Sequence, residues 1–189
     1  WSTAERLSAL KQIVPQRAIA KILKRTNVGS RHCRRLPRWF MVWFVVALGL
    51  FSSDSYRQVF RWLNRFRSNL TPGRSTLCEA RKSVGIAPLR LLTEEVVRLE
   101  GRSEDAHSFY EGMRLMAIDS FVVDLADSPA NERAFGRPGS GRAAGAFPQA
   151  RVLSLCEAGT HVLYRSLIKP HRRSEVPMTR YLLRFIEEN

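Results

Sequence analysis

A single aspartate inside an apolar stretch is the residue best suited to chemistry in this sequence. Asp119 lies in the middle of MRLMAIDSFVVDL, which is rich in apolar and β-branched residues. Aspartate is disfavoured in strands, and a buried carboxylate is costly unless it is paired, hydrogen-bonded or bound to a metal. Magnesium prefers hard oxygen ligands of this kind. The pattern therefore predicts either a metal ligand or a carboxylate paired with an arginine, and it supports both equally. Asp124 and Asp127 follow at the strand end, where solvated or turn-capping aspartates are common, and we expect that simpler role for them.

A stripe of arginines in the first half of the chain could contact nucleic acid. Arg57, Arg61 and Arg65 recur every four residues, the spacing that places side chains on one helix face. A turn and a short basic segment follow, as in helix–turn–helix motifs. A merely solvated helix face is the alternative. The predicted DNA contacts are Arg57, Arg61, Arg65, Arg74, Arg81 and Lys82, together with Arg137 and Arg142 in a later loop.

That later loop covers residues 126–146 and is rich in Gly, Pro, Ser and Ala. Its glycines and arginines could cradle phosphate, but the sequence has no Walker pattern. We expect a flexible, DNA-facing loop without regular structure. The His and Cys residues have no ligand spacing, which argues against a zinc site or a disulfide framework and favours a reducing cytoplasm. The loop glycines are Gly136, Gly139, Gly141 and Gly145. The histidines and cysteines are His32, His107, His161, His171, Cys33, Cys78 and Cys156.

Helices must position the arginine stripe. Residues 2–27 read as one or two helices interrupted by Pro15, and Pro37 can open an apolar helix over residues 39–51. Residues 52–54 offer caps for the next helix, which carries the stripe. A capping box at residues 76–79 predicts a short helix over residues 77–84 that ends at Gly85. Another helix is expected over residues 89–99.

Strands must position Asp119. The hydrophobic pattern changes after residue 112, and residues 113–125 read as a buried strand. Two further strands are expected over residues 147–157 and 160–169, joined by a turn at Ala158-Gly159. A helix is expected from Ser174. The fold class is therefore α+β, a helical region followed by three strands and a helix.

The thirteen apolar residues from 39 to 51 raise the question of a membrane. A spanning helix needs about twenty such residues, so a buried core helix is the favoured interpretation. A membrane-associated basic protein anchored by this segment is the alternative.

The charge of the chain is concentrated in its first half. Residues 1–90 hold 18 Lys or Arg and three acidic residues, which gives this part a net charge of +15. The net charge of the whole chain is +14. Residues 91–110 carry −3 and residues 111–189 carry +2. A basic excess indicates a polyanionic partner rather than a fold. Binding to double-stranded DNA is therefore expected of the first half.

Two blocks of the sequence resemble the transposases of the insertion sequence four family, within the DDE, ribonuclease H-like group. RLPRWFMVWFVVALGLFSSDSYRQVFRWL, followed by TPGRSTLCEARKSVGIAPLRLL, is similar to the family's N-terminal domain. IDSFVVDLADSPANERAFGRPGSGRAAGAFPQARVLSLCEAGTHVL is similar to the opening of its catalytic domain. Together the blocks cover most of the chain.

The resemblance implies that Asp119 is the first of three catalytic carboxylates, on the first strand of a ribonuclease H-like sheet. In such enzymes the carboxylates hold two divalent metals, Mg²⁺ or Mn²⁺, that flank the scissile phosphate. The family usually has Asp-Gly-Thr where this chain has Asp119-Ser120-Phe121. The second Asp and the Glu are expected further on, so we expect this chain to be an incomplete, inactive fragment that does not hold metal stably.

The resemblance also implies a domain order. Residues 1–100 would form the helical DNA-binding domain, residues 101–112 a linker, and residues 113–189 the first part of the catalytic domain. The expected function is binding of element ends and metal-dependent DNA strand cleavage and transfer. A truncated DNA-binding regulator or relic without catalysis is the alternative. We expect a cytoplasmic, nucleoid-associated protein without a membrane partner, and leave homo-oligomerisation of the complete enzyme open.

Overall fold

The structure is a computed structural model that describes residues 1–26, 36–64, 71–140 and 143–186. The chain divides into two compact units, Trp1–Val96 and Val97–Asn189. The first unit is helical, and the second combines β-strands with short helices. The predicted α+β class is therefore confirmed. The boundary between the units lies after Val96, whereas the sequence placed the end of the helical region at residue 100.

Six helices form the described part of the N-terminal unit. The first two flank Pro15, as the sequence predicts. The Ser2 hydroxyl caps the first helix by accepting a hydrogen bond from the Glu5 N–H. The helices are α1 Thr3–Ile13, α2 Gln16–Arg25, α3 Arg38–Leu50, α4 Tyr56–Leu63, α5 Arg74–Val84 and α6 Ala87–Val96.

Helix α3 is the centre of the N-terminal unit and is contacted by α1, α2, α4 and α5. Phe44 is fully buried, and its ring meets that of Tyr56 edge to face at 6.0 Å between centroids. Phe40 packs against Phe60 at 5.4 Å. The indole N–H of Trp43 donates to the Val14 carbonyl at 2.7 Å. The apolar run is thus a core helix, as predicted. In the part of the chain that the structure describes, no helix is long and apolar enough to cross a bilayer.

Several predicted helix ends are wrong by a few residues. Ser55, rather than one of residues 52–54, caps α4 by accepting the Gln58 N–H at 3.3 Å. Helix α5 begins directly after Gly73, so the predicted capping box at residues 76–79 lies inside the helix. Gly73, in an extended conformation with φ −61° and ψ 157°, is the N-cap residue instead. Gly85 ends α5 as predicted, with a φ of 71° that suits glycine.

The C-terminal unit begins with a short hairpin and continues into an antiparallel sheet. Strands β1 (Phe109–Tyr110) and β2 (Met113–Arg114) are joined by Glu111 and Gly112, which both have positive φ. The sheet has the order β3-β6-β7. Its strands are β3 Met116–Asp124, β6 Gln149–Glu157 and β7 Leu163–Pro170.

Strand β6 carries the core of the C-terminal unit. Leu153 and Leu155 on β6 are fully buried and pack against Met178 and Leu182 of helix α8, Glu175–Leu183. The predicted second and third strands and the helix after Ser174 are therefore confirmed in outline. The connection between β6 and β7 is longer than the predicted two-residue turn, because it runs over residues 158–162.

The segment over residues 126–146 is not a structureless loop, and that prediction is wrong. It contains helix α7, Pro129–Phe135, and a small ribbon of β4 (Gly139–Ser140) and β5 (Ala143–Ala144). The Ser128 hydroxyl caps α7 by accepting the Asn131 N–H at 3.2 Å. The glycines that suggested flexibility instead serve regular structure, since Gly136 ends α7 with a φ of 74°.

Truncating the core of the N-terminal unit should lower its stability sharply. We expect Phe44→Ala to reduce the free energy of unfolding by about 3–5 kcal/mol, because a fully buried ring is replaced by a cavity. Urea unfolding followed by tryptophan fluorescence measures this directly, since all four tryptophans lie in residues 1–62. Ile86→Ala, at a side chain that is 69% exposed, is the control and should change the midpoint little. Equal midpoints for the two variants would contradict the central position of α3.

Candidate nucleic-acid interface and catalytic carboxylate

Asp119 lies in the middle of β3, directly opposite Ser154 of β6. Its side chain is exposed, so the prediction of a buried strand with a buried carboxylate is wrong. The physical reason is that, among the described residues, β3 pairs with β6 only and lies at the edge of the sheet. One carboxylate oxygen, Oδ1, accepts the N–H of Ser120 at 2.7 Å. Among the described residues no arginine forms an ion pair with Asp119, so the second of the two predicted alternatives, a carboxylate paired with an arginine, is not found there.

The donor set around Asp119 determines whether it could hold a divalent metal. Magnesium needs near-octahedral oxygen coordination, usually with more than one protein or substrate ligand. Across residues 1–26, 36–64, 71–140 and 143–186, no group of three or more His, Cys, Asp or Glu side chains is placed to hold a metal ion. The described residues therefore do not by themselves form a two-metal site around Asp119.

Ser120 points away from Asp119 and joins a polar network on the other side of the sheet. Its hydroxyl donates to Oε1 of Glu175 at 2.6 Å and accepts from Nη1 of Arg151 at 3.1 Å. Arg151 also forms an ion pair with Glu175 and donates through Nε to the His171 carbonyl at 3.2 Å. The network connects β3, β6 and the start of α8. Sequence reasoning gave Arg151 and Glu175 no role, because neither belongs to a recognisable motif.

The two later aspartates have ordinary polar partners. Asp124 accepts from the Gln149 side-chain amide at 2.8 Å, on the neighbouring strand. Asp127 forms an ion pair with Arg137 at 2.5 Å. Both aspartates are exposed. These contacts agree with the simple structural role expected for them.

Arg137 is the centre of the segment that follows β3. Its guanidinium pairs with Asp127 and with Glu132, the latter at 3.1 Å, and donates to the carbonyls of Gly145 and Ala146. Hydrogen bonds to Glu132 and Asp127 raise the pKa of Arg137. These bonds leave few donors of Arg137 for phosphate, although its contact with DNA stays a prediction. Arg142 lies outside the described residues.

The side chains predicted to contact DNA in the helical unit differ in their exposure and in the partners they already have. Arg57 and Arg74 are exposed, and Arg61 is exposed with a long hydrogen bond of 3.4 Å to the Thr71 hydroxyl. Arg81 lies over the Tyr56 ring at 5.3 Å. Lys82 forms an ion pair with Glu79 at 2.9 Å, whose hydrogen bond raises the pKa of that lysine. Arg65 lies outside the described residues. The structure thus brings α4 and α5 together through Arg81 and leaves Arg57, Arg61 and Arg74 as the more accessible cations.

Sequence reasoning missed one buried charge, Glu157 at the end of β6. Its carboxylate accepts the N–H groups of Glu100 and Gly101 at 3.0 and 2.9 Å, and further bonds from Thr160 Oγ1 and Arg114. Burial by itself raises the pKa of Glu157, but the hydrogen bonds from Thr160, Gly101, Glu100 and Arg114 outweigh it, and the pKa lies below its ordinary value. The signal in the sequence was a glutamate that directly follows the mostly apolar residues 152–156.

Gly101 is required by this arrangement. A Cβ there would lie 2.7 Å from the Ser108 hydroxyl and 2.9 Å from Oε1 of Glu157. These separations are too short for a real side chain, so the backbone can approach the carboxylate only because residue 101 is glycine. The residues around Gly101, which the sequence places in a linker, are held against the sheet by these hydrogen bonds.

The N-terminal unit is similar to a known family of protein domains. Residues 4–94 match the family model for the insertion element 4 transposase N-terminal domain. The N-terminal unit is an insertion element 4 transposase N-terminal domain. The family match ends two residues before the end of the N-terminal unit, so its helices α1–α6 are the structural form of this transposase domain.

Two curated relatives from Escherichia coli (strain K12) extend the transposase similarity beyond this domain. InsZ, which its name describes as a transposase, is 28% identical over 162 residues, 82% of this chain and 52% of InsZ. InsG, the transposase for insertion sequence element IS4, is 24% identical over 188 residues, 97% of this chain and 42% of InsG. The chain spans about half the length of the curated relatives it matches. No solved structure matches the chain.

The Glu157 cluster leads to a prediction about stability and pH. A carboxylate with a lowered pKa in the folded state stabilises that state above its unfolded pKa, about 4.3, and this contribution is lost as the pH falls through the folded value. Glu157→Gln should reduce the stability of the C-terminal unit at pH 7 by about 1.5–3 kcal/mol, as for other charged hydrogen bonds. The loss should shrink below about pH 4.

Amide hydrogen exchange of β6 in the full chain measures this, since no tryptophan lies in the C-terminal unit. Glu104→Gln is the matched control, because that side chain is exposed in the same unit and has no hydrogen bond or ion pair among the described residues. Unchanged exchange of β6 in Glu157→Gln at pH 7 would show that the cluster does not hold the unit together.

Proposed function

We propose that this chain is part of a DNA transposase that binds the ends of its element through the N-terminal unit. The observation that carries the proposal is the pairing of a net charge of +15 in residues 1–90 with accessible cations on a helical unit of the insertion element 4 transposase family. Counterion release from DNA phosphates would supply most of the affinity. The relatives InsZ and InsG, both named as transposases, support the same role.

The proposed contact surface begins at α4 and α5. Arg57 and Arg61 lie four residues apart on one face of α4, and Arg74 is the first residue of α5. Guanidinium groups suit phosphate because their planar fork can form two hydrogen bonds at once. Because Arg81 lies over the Tyr56 ring, it would add positive charge to this surface without extending far into solvent.

The catalytic part of the proposal concerns Asp119. We place it as a metal-binding carboxylate of a ribonuclease H-like domain, with β3, β6, β7 and α8 as the opening of that fold. Position at mid-strand, exposure and freedom from an ion pair in the described chain all suit a carboxylate that serves a metal or substrate. Divalent metal, when bound by a complete set of carboxylates, would stabilise charge on the reacting phosphate. This chain would contribute one such ligand.

A DNA-binding regulator without catalysis is the second candidate. It is favoured by one observation, that no group of three or more His, Cys, Asp or Glu side chains among the described residues is placed to hold a metal ion. In this form the chain would occupy element ends and compete with a complete transposase. The two candidates share the DNA-binding surface and differ in strand cleavage.

DNA binding by the 189-residue chain should be strongly salt-dependent. If four phosphates are neutralised, affinity should fall about 100-fold between 50 and 200 mM salt. Arg57→Gln combined with Arg61→Gln should weaken binding roughly tenfold and lower the salt slope by about two. Fluorescence anisotropy with a labelled duplex measures both quantities. Affinity that is equal at the two salt concentrations would refute the electrostatic account, and unchanged affinity of the double variant would leave α4 as a solvated face.

Asp119→Asn separates catalysis from binding. The change keeps the size of the side chain and removes the charge that a divalent metal needs, so DNA affinity of this chain should stay within about twofold of the wild type. In a longer family member that contains the matching residue, cleavage of a labelled element end with Mg²⁺ or Mn²⁺ should be abolished. Full cleavage by that variant would remove Asp119 from the catalytic set.

A further inference from the structure

Helix α2 carries a basic face to which the sequence analysis gave no function. Arg17, Lys21, Lys24 and Arg25 are all exposed, and the ten residues of α2 include no acidic side chain. At 3.6 residues per turn, these four positions lie within an arc of about 100°. The opposite face is apolar, and its Ile19 and Ile22 are almost fully buried in the core. All the charged side chains that the helix presents to solvent are therefore cations.

The cations of α2 are also less neutralised than those of α5. Lys21 forms an ion pair with Glu95 at 2.6 Å, but for Arg17, Lys24 and Arg25 no ion pair is found within the described part of the chain. On α5, by comparison, Lys82 pairs with Glu79 and Arg81 lies over an aromatic ring. Cations at a helix C-terminus also interact favourably with the helix dipole, which accounts for Lys24 and Arg25 but not for Arg17.

We propose that this face of α2, defined by Arg17, Lys24 and Arg25, is a second contact surface for the phosphate backbone of duplex DNA, in addition to α4 and α5. The inference rests on the proposed function. At 1.5 Å per residue, the face is about 12 Å long, enough to reach two or three phosphates. The three residues that define the face are all cations, and cations that contact phosphate carry no sequence information. They would fix the position of the duplex rather than read its sequence.

An anionic membrane is the other polyanion to which such a face could bind. Helices that lie on membranes insert an exposed apolar face below the headgroups. The apolar face of α2 is not available for insertion, because Ile19 and Ile22 pack into the core of the unit beside α3 and α6. The buried face therefore favours DNA over lipid.

The test compares two variants of the full chain that each lose three charges. The first is Arg17→Gln, Lys24→Gln and Arg25→Gln on α2. The second is a matched control in the C-terminal unit, Arg172→Gln, Arg173→Gln and Arg180→Gln, at three exposed positions. Anisotropy with a 30-base-pair duplex at several salt concentrations gives the affinity and the salt slope, and circular dichroism checks folding. Glutamine is a good helix former, so α2 should persist.

We expect the α2 variant to bind at least tenfold more weakly than the wild type at 100 mM salt, with a salt slope lower by two to three, while the control changes less than threefold. If the α2 variant is poorly folded, Arg17→Gln alone is used instead, and a slope lower by about one is expected.

If the wild type binds DNA and the α2 variant has the same affinity and salt slope as the control variant, the inference is overturned and the proposed function is left intact. Absence of salt-dependent binding by the wild type would overturn the proposed function itself. Binding of the wild type to phosphatidylserine vesicles, lost in the α2 variant while DNA affinity is unchanged, would assign the face to membranes and contradict the proposal.

Discussion

Burial of helix α3 is the constraint on which the N-terminal unit depends. A helix that is apolar around most of its circumference has to be enclosed, and here four other helices contact it. Each of them gives its apolar face to that purpose: α2 contributes Ile19 and Ile22, and α4 contributes Val59 and Phe60. The cations of those helices must then face outward. The same packing that builds the core therefore creates the basic surface.

The charge that this surface concentrates is costly in the absence of a polyanion, because like charges repel one another at low ionic strength. Three acidic residues within the first ninety do little to offset it. Aromatic rings stabilise some of these positive charges, since Arg81 lies over Tyr56 and Arg6 lies 5.9 Å from the centre of the Phe51 ring. Binding of DNA would relieve the repulsion that remains, which links the composition of the unit to its proposed role.

The C-terminal unit depends on a different kind of interaction. Its sheet has a modest apolar core on one face, and polar side chains fix its surroundings. Glu157 holds the segment before the sheet, and Arg151 joins Ser120 to Glu175 at the start of α8. The Ser120 hydroxyl thereby adds a contact to the strand that bears Asp119. Asp119 itself remains exposed on the opposite side of that strand.

Most of the fold could be predicted from periodicity, but much of the site could not. Helix α3, the break at Pro15 and the three strands follow from hydrophobic patterns, and Gly85 ends α5 as expected. The burial of β3 could not be predicted, since an apolar run does not reveal whether a strand has one neighbour or two. Glycine-rich composition also concealed α7, whose cap at Ser128 is a local hydrogen bond. Contacts distant in sequence, such as Glu157 with Gly101, leave no pattern at all.

Lysine footprinting of the full chain tests the central claim, that the N-terminal unit binds DNA, most directly. The chain has five lysines, of which Lys24 lies on α2, Lys82 on α5 and Lys169 on β7. Acetylation rates measured by mass spectrometry with and without duplex DNA compare the two units within one molecule. The account predicts that DNA slows the modification of Lys24 and Lys82 several-fold and leaves Lys169 unchanged. Protection of Lys169 alone would contradict it.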